Sequence, residues 1–473
     1  MEHNSANSSL KVGDMEFPPR KVWMKTYGCQ MNYHDTERIM SHLSELNFTK
    51  TDQQSDADLV IFNTCAVRDL ANQKFYSHLG ETKKLKNISN TASLGELKKN
   101  VIVAAGGCIA QTEGKELISK YKQLDFAFGT DVIDNIGEMV YRAYAGEKKF
   151  SVTSWDKSEN YSIETKITQG SPMAFVNIIK GCDKFCSYCI VPFTRGREKS
   201  RRLEEVVKDV KRLVEYSGVQ EVMLLGQNVN SFGKENGESL AQLIMELDSI
   251  EGLQRLRYTT SHPYDVTDDL VEAHKSAKKL ANHLHLPVQS GSNTVLQRML
   301  REYTIEHYLG LIEKMRKANP EMIISTDIIA GFPNETEEEH EATLKLLDDA
   351  QFDFIYAYAY SSRKGTKASR MNDVLNDDIR GRRLREIQEK QLKIQANIRQ
   401  QMVGKTYRIL VEEKGISKGV LKWTGRTSCS RLVHFEPPMA DQDFQWHWVD
   451  VEILSATALS TQGKIVKDHG KTL

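Results

Sequence analysis

Short apolar runs that alternate with amphipathic stretches recur in two long series along the chain, and no other feature limits its fold as much. In the first series, from about Lys21 to Ala145, VWMKTYG, LVIFNTC, VIVAAGGC and DFAFGT are each followed by a helical pattern. Such runs, joined by helices, imply a mainly parallel sheet covered on both faces, a doubly wound α/β arrangement. The second series begins at MAFVNIIKG and continues through EVMLLGQN, RLRYTTSHP, NHLHLPVQSG, MIISTDIIAGFP and FIYAYAYSS, with helical stretches such as RRLEEVVKDVKRLVEYSG between them. Six such units exceed a small open sheet. They predict a partial (β/α)6 TIM-like barrel whose polar strand-end residues converge at one face. From Val403 onward the runs shorten to TYRILVEE, LKWTGRT, RLVHFE and WVDVEILSA with Gly and Pro breaks, which predicts a small C-terminal β-barrel.

This division suits a chain of 473 residues and gives three domains, 21–145, 171–400 and 401–473. Residues 1–20 are polar and read as a disordered tail; residues 146–170, polar and without period, read as a linker. No signal-like apolar segment opens the chain, and no run approaches the roughly 18 apolar residues of a membrane span, so a cytoplasmic protein without membrane contact is expected. Lys and Arg number 64, as do Asp and Glu. The whole chain therefore carries no basic field, and any contact with nucleic acid must come from local patches. Residues 401–473 hold seven Lys and three Arg against eight acids, and Arg426, Arg431 and His434 stand beside aromatics. That spacing suits either a nucleic-acid surface or a solvated charged face.

Six of the seven cysteines fall into two groups of three. In a reducing compartment, clustered cysteines point to metal binding or catalysis rather than to disulfides. Cys182, Cys186 and Cys189, in GCDKFCSYC, follow the first strand of the second series with the spacing C-x3-C-x2-C. Structural zinc wants a fourth ligand, commonly from a second cysteine pair, and no such pair lies nearby. A [4Fe–4S] cluster is normally held by four thiolates. Held by three, it keeps one iron open to chelate an amino and a carboxylate group, and S-adenosylmethionine supplies both. Cys29, Cys65 and Cys108 stand at the ends of the first three strands of the first series, the edge at which open α/β sheets bind ligands. Each alone reads equally as a small buried residue; together they read as a constellation. Cys429 has no partner at metal spacing and reads as an ordinary thiol.

The strings YGCQMN (27–32), NTCAVR (63–68), GGCIAQ (106–111), CDKFCSYCIVPFTRGREKSR (182–201), LLGQNVNSFG (224–233), TSHP (260–263), LHLPVQSGS (284–292), STDIIAGFP (325–333) and GRTSCSR (425–431) resemble, in order, the radical S-adenosylmethionine methylthiotransferases. The likeness covers nearly the whole chain beyond its N-terminal tail; SSRKGT (361–366) and the middle of GRTSCSR depart from it. YGCQMN with NTCAVR is similar to the branch that modifies N6-dimethylallyladenosine in tRNA, more than to those acting on threonylcarbamoyl-adenosine or on a ribosomal protein.

The resemblance implies a transferase that methylthiolates C2 of N6-dimethylallyl(isopentenyl)adenosine next to the tRNA anticodon, using two [4Fe–4S] clusters and S-adenosylmethionine. Cys182, Cys186 and Cys189 would hold the cluster that makes the 5′-deoxyadenosyl radical. Cys29, Cys65 and Cys108 would hold a second cluster that presents the sulfur, the two facing one cavity. The protein positions such cofactors and excludes water. Gly226, Gln227, Asn228, Ser261, Gln289, Thr326 and Asp327 end strands and are expected to bind S-adenosylmethionine or adenine. Arg195 and Arg197 offer bidentate forks for a carboxylate or for tRNA phosphate. The C-terminal domain resembles the small barrel called TRAM, expected to grip the anticodon stem-loop through Arg426 and Arg431. A monomer served by an electron donor protein completes the expectation. Two alternatives stay open: a methylthiotransferase with another substrate, and an RNA-binding protein with structural clusters.

Overall fold

The computed structural model describes residues 18–86, 101–155, 161, 163–167, 170–417, 419–439 and 442–471. The chain forms two compact units: Met1–Glu159 with Ile190–Arg197, and Asn160–Cys189 with Glu198–Leu473.

In the first unit β1 (Arg20–Thr26), β2 (Phe48–Lys50), β3 (Leu59–Thr64), β4 (Ile102–Gly107), β5 (Phe126–Phe128) and β6 (Phe150–Val152) make one sheet in the order β2-β1-β3-β4-β5-β6. Every pairing is parallel. β3 and β4 are buried along their whole length because alternate residues serve opposite faces. Leu59, Ile61, Ile102 and Ala104 pack on Ile39 and Leu43 of the helix Gln30–Glu45 and on Met139 and Val140 of the helix Ile136–Tyr144. Val60, Phe62, Val103 and Ala105 meet Phe75, Leu79, Leu117 and Ile118 of the helices Asp69–Glu81 and Cys108–Lys120. Helices on both faces make this the doubly wound sheet expected. Two short edge strands add to it: β2, which has no apolar run of its own, and β6, which lies inside the stretch read as a linker and pairs with β5.

The second unit carries β7 (Met173–Asn177), β10 (Glu221–Leu225), β11 (Arg255–Tyr258), β12 (His283–His285), β13 (Ile323–Ala330) and β14 (Phe354–Ala359), all parallel to their neighbours, with a short antiparallel pair, β8 (Ile179–Lys180) and β9 (Lys199–Ser200), after β7. The six parallel strands form two three-stranded sheets, β7-β10-β11 and β12-β13-β14, with a bridge from Leu256 to Leu280 between them. Val206, Val210 and Leu213 of the helix Leu203–Ser217 and Leu243, Ile244 and Leu247 of the helix Leu240–Asp248 share one core with Val222, Leu224 and Leu256. This is the partial barrel read from the alternation.

β15 (Thr406–Ser417), β16 (Val420–Thr427), β17 (Leu432–Phe435), β18 (Trp448–Ala456) and β19 (Thr461–Asp468) close into a barrel around Ile409, Val411, Trp423, Val433, Phe435 and Val451. β19, TQGKIVKD, is absent from the sequence reading because its apolar alternation is thin. The closed barrel meets the strand-start side of the parallel sheets. Trp448 Nε1 donates to Gln220 Oε1 at 2.6 Å, Arg257 Nη2 to the Thr427 carbonyl at 2.7 Å, and Arg255 Nη1 to the Arg426 carbonyl at 3.2 Å. Arg431, expected on a nucleic-acid surface, is 6 % exposed and binds Asp353, which also pairs with Arg399 at 3.1 Å. Its charge answers a buried carboxylate just before β14. Among the described residues no helix is long and apolar enough to cross a membrane.

Asp353→Asn would leave two buried guanidinium groups without their carboxylate. Removing one partner of a buried pair typically costs about 3 kcal/mol or more. A clear fall in the urea midpoint of the full chain is expected; an unchanged midpoint would show that the pairing adds nothing to this docking.

Candidate functional site

Three thiols meet at the carboxyl edge of the first sheet. Cys29 caps the helix Gln30–Glu45 after β1, Cys65 follows β3 directly, and Cys108 opens the helix Cys108–Lys120 after β4. The strand order reverses between β1 and β3, which opens a crevice there. Two glycines permit the crowding. Gly28, at φ +104°, lies so close that a Cβ on it would stand 2.7 Å from Cys65 Sγ, and Gly107, at φ +89°, would meet the Thr64 carbonyl at 2.5 Å.

Buried amides lace the three strand ends together. Asn32 Nδ2 donates to the carbonyls of Tyr27 (2.7 Å) and Thr64 (2.9 Å), and Asn63 Nδ2 donates to the Asn32 carbonyl at 2.7 Å. The Thr64 hydroxyl donates to the Gly106 carbonyl at 2.6 Å and accepts the Ile109 N–H at 3.2 Å. Burial pushes the Cys65 thiol up to about 11, and Cys108 and Cys29 add to the shift, so the three feel one another's charge. Burial raises Cys108 as well, opposed by the Arg195 guanidinium.

In the second unit Cys182, Cys186 and Cys189 lie on the loop that follows β8. Ser187 pins this loop: its N–H donates to the Met299 carbonyl at 2.9 Å, its hydroxyl to the Arg298 carbonyl at 2.8 Å, and its own carbonyl accepts the Ala368 N–H at 2.7 Å. Arg301, buried, donates to Cys186 Sγ at 3.4 Å, the Pro287 carbonyl at 2.6 Å and the Tyr303 hydroxyl at 2.8 Å. Burial pushes Cys182 up to about 12, with Cys189 and Cys186 adding to it against a backbone hydrogen bond from Lys184. A cavity of about 710 Å³ with walls of both charges, including Lys184, Lys234, Arg301, Glu198 and Asp265, borders the loop.

The other expected residues divide. Ser261 Oγ and Asn228 Oδ1 are buried without a hydrogen-bond partner, as is Nε2 of the adjacent His262. Buried polar atoms are normally satisfied, so these three mark room for a polar ligand or water. Asn228 Nδ2 donates to Asp265 Oδ2 at 2.8 Å, and Gln227 Oε1 accepts the Gly181 N–H at 2.5 Å, which fixes the start of the cysteine loop. Gly226 serves packing, since a Cβ there would stand 2.3 Å from Ile179 Cγ2. Gln289 is buried in left-handed backbone (φ +77°) and bridges to Ile328, while Asp327 lies 3.5 Å from His285 Nε2.

Thr326 ties two strand ends together. Its hydroxyl, fully buried, donates to the Leu286 carbonyl at 2.8 Å and accepts the Val288 N–H at 2.9 Å. Arg195 is 7 % exposed and takes the carboxylate half of its expectation, paired with Asp35 at 2.7 Å. Arg197 is exposed, and Arg426 is partly exposed and bonded to Glu412 at 3.0 Å. Asn32, Asn63, Thr64 and His262 were missed although they sit inside the recognised strings; Asp35 and Arg301 lie outside them and gave no signal.

Among the described residues no three His, Cys, Asp or Glu side chains are grouped to hold a single metal ion. Thiolates on an iron–sulfur cube bind different irons and need not converge on one point.

Residues 21–129 match the model of uncharacterized protein family UPF0004, and residues 176–347 match the Radical SAM superfamily. The fold is similar to the solved structure of the radical S-adenosylmethionine methyltransferase TsrM from Kitasatospora setae, at a TM-score of 0.55 and 12 % identity over 74 % of this chain and 77 % of that one. Fold and matched regions thus define a radical S-adenosylmethionine enzyme. The tRNA-2-methylthio-N(6)-dimethylallyladenosine synthase of Acetivibrio thermocellus is 40 % identical, over 94 % of this chain and 90 % of its own length. That of Carboxydothermus hydrogenoformans is 39 % identical, over 94 % and 99 %. The chain belongs to the tRNA-2-methylthio-N(6)-dimethylallyladenosine synthase family, a family of transferases with [4Fe–4S] clusters and S-adenosylmethionine as cofactors.

Thiol reactivity tests the burial. In metal-free protein at pH 7.5, Cys29 and Cys189, the more exposed members, should be alkylated by iodoacetamide first. Cys65 and Cys182, held as protonated thiols by their raised pKa, should speed up about tenfold per pH unit until pH reaches about 11 for Cys65 and about 12 for Cys182. Equal rates for all four at pH 7.5, read by peptide mass spectrometry, would contradict these environments.

Proposed function

We propose that the protein inserts a methylthio group at C2 of N6-dimethylallyladenosine next to the anticodon of tRNA. One observation carries the reading: each unit sets one cysteine triplet at the loop edge of parallel strands, in a chain 40 % identical to a synthase of that name over 94 % of its length. Cys182, Cys186 and Cys189 would hold one [4Fe–4S] cluster, and Cys29, Cys65 and Cys108 the other. The donor sets fit, being three thiols each, acting on one another's charge, with two of each three buried. The unpartnered Ser261, His262 and Asn228 fit a polar ligand such as S-adenosylmethionine. When bound, the cluster on 182, 186 and 189 supplies the electron that cleaves S-adenosylmethionine to a 5′-deoxyadenosyl radical, the route to a carbon–hydrogen bond too weakly acidic for a side-chain base.

The chain's own part is placement. Ser187 and Gln227 hold the radical loop, and Arg301 lays a positive charge on Cys186. His262 stays neutral at physiological pH because burial, helped by Arg301, depresses it to about 2. It binds through neutral hydrogen bonding. The electron must come from outside the chain, from a donor protein. For the RNA, exposed Arg197 and the partly exposed Arg426 remain as phosphate partners, and the C-terminal barrel takes the TRAM role. An anticodon-loop purine is already displaced from a regular stack, which lowers the cost of presenting its base.

Complementation of a strain lacking this activity tests the proposal by nucleoside mass spectrometry of its tRNA. The intact chain should restore the 2-methylthio nucleoside. Cys29→Ala, Cys65→Ala and Cys108→Ala together should abolish the product while purified protein still makes 5′-deoxyadenosine. The same change at Cys182, Cys186 and Cys189 should abolish both. Methylthio product from the first triple variant would refute the division of labour.

A further inference from the structure

Arg195 has no task in the reading above, yet its surroundings are built. It follows the helix Val191–Thr194, whose segment joins the first unit, with Ile190 in that unit's core and the Thr130 hydroxyl donating to the Thr194 carbonyl at 2.7 Å. Arg195 N–H bonds the Val191 carbonyl at 2.8 Å, and its guanidinium then reaches Asn32 Oδ1 and Asp35 Oδ2, each at 2.7 Å. Asn32 and Asp35 lie in the first turns of the helix capped by Cys29, and Asp35 is 1 % exposed. The guanidinium's charge also acts on Cys108 and Cys29. A buried cation is costly unless paired. Here the pairing is divided between a carboxylate and the thiols.

We propose that Arg195 and Asp35 are positioning residues that together set the electron affinity of the cluster on Cys29, Cys65 and Cys108. The proposal rests on the assignment of that triplet to a cluster. Cluster potentials depend on net charge, burial and hydrogen bonds to sulfur. Arg195 contributes one fixed positive charge beside Cys108. Asp35 cancels most of that charge at distance while holding the guanidinium in place. Arg301 beside Cys186 shows the contrast, since it donates to a hydroxyl, a carbonyl and a thiol, none of them a carboxylate.

A purely structural ion pair and an electrostatic one differ in sign. If the pair only braces the segment, losing either member does the same harm. If charge at the sulfurs is what counts, the two losses act oppositely.

The test uses the full-length chain carrying Cys182→Ala, Cys186→Ala and Cys189→Ala, so that one cluster remains after anaerobic reconstitution. Iron and sulfide are counted first, then the cluster is titrated with dithionite and redox mediators under electron paramagnetic resonance. Arg195→Gln should lower the reduced-to-oxidised ratio at a given potential about tenfold, a negative shift of about 59 mV for one electron. Asp35→Asn should raise that ratio by a similar factor, and Arg195→Lys, which keeps the charge, should stay near the parent. Shifts of the same sign, or none beyond twofold, overturn the proposal. Should Arg195→Gln fail to hold its cluster, Asp35→Asn decides alone: an unchanged or lower ratio overturns it. A parent that takes up no iron overturns the cluster assignment itself, and the role of Arg195 with it.

Discussion

Parallel strands send every following loop to the same edge of a sheet, and both cysteine triplets depend on that single constraint. Residues 29, 65 and 108 are far apart in the chain, but β1, β3 and β4 are neighbours in register, so their exits coincide. Asn32, Asn63 and Thr64 turn that coincidence into a fixed geometry by spending their side chains on backbone groups of the adjoining loops. The second unit meets the same need differently. There the three thiols share one short loop, held from outside by carbonyls at Arg298 and Met299 and by Gln227. Burial of Cys65, Cys108 and Cys182 follows from these solutions, and it keeps those three thiols protonated until a metal displaces the proton, since metal ligation requires the thiolate.

Charge balance is local rather than global. A chain with equal numbers of acids and bases still buries several guanidinium groups, each answered by a carboxylate or a thiol: Arg195 by Asp35 and Cys108, Arg431 and Arg399 by Asp353, Arg255 and Arg257 by Glu221. The last two groups join the closed barrel to the strand-start side of the parallel sheets. Arg431 is thereby committed to the fold. The phosphate contacts of an RNA substrate must come from residues that remain at the surface.

Much of this was legible in the sequence because the core strands are buried on both faces and so appear as unbroken apolar runs, as in LVIFNT and IVAAGG. β2 and β6, three residues each at sheet edges, carry no such run, and β19 buries too little to show its period. The cysteines stood out because they are few and regularly placed. The burial of Arg195 and Arg431 was not legible for one reason: a charged side chain is read as exposed unless its partner is known, and Asp35 and Asp353 lie 160 and 78 positions away. At Thr326, likewise, nothing local tells that the strand-end hydroxyl closes onto the strand beside it.

The central claim is that the two triplets are separate, independent cluster sites. Iron and acid-labile sulfide per chain after anaerobic reconstitution test it most directly, measured on the intact protein and on each triple Cys→Ala variant. The account predicts about eight irons for the intact chain and about four for either variant, with four-iron spectra in both. Loss of all iron from one folded variant, or about four irons in the intact chain, would contradict it.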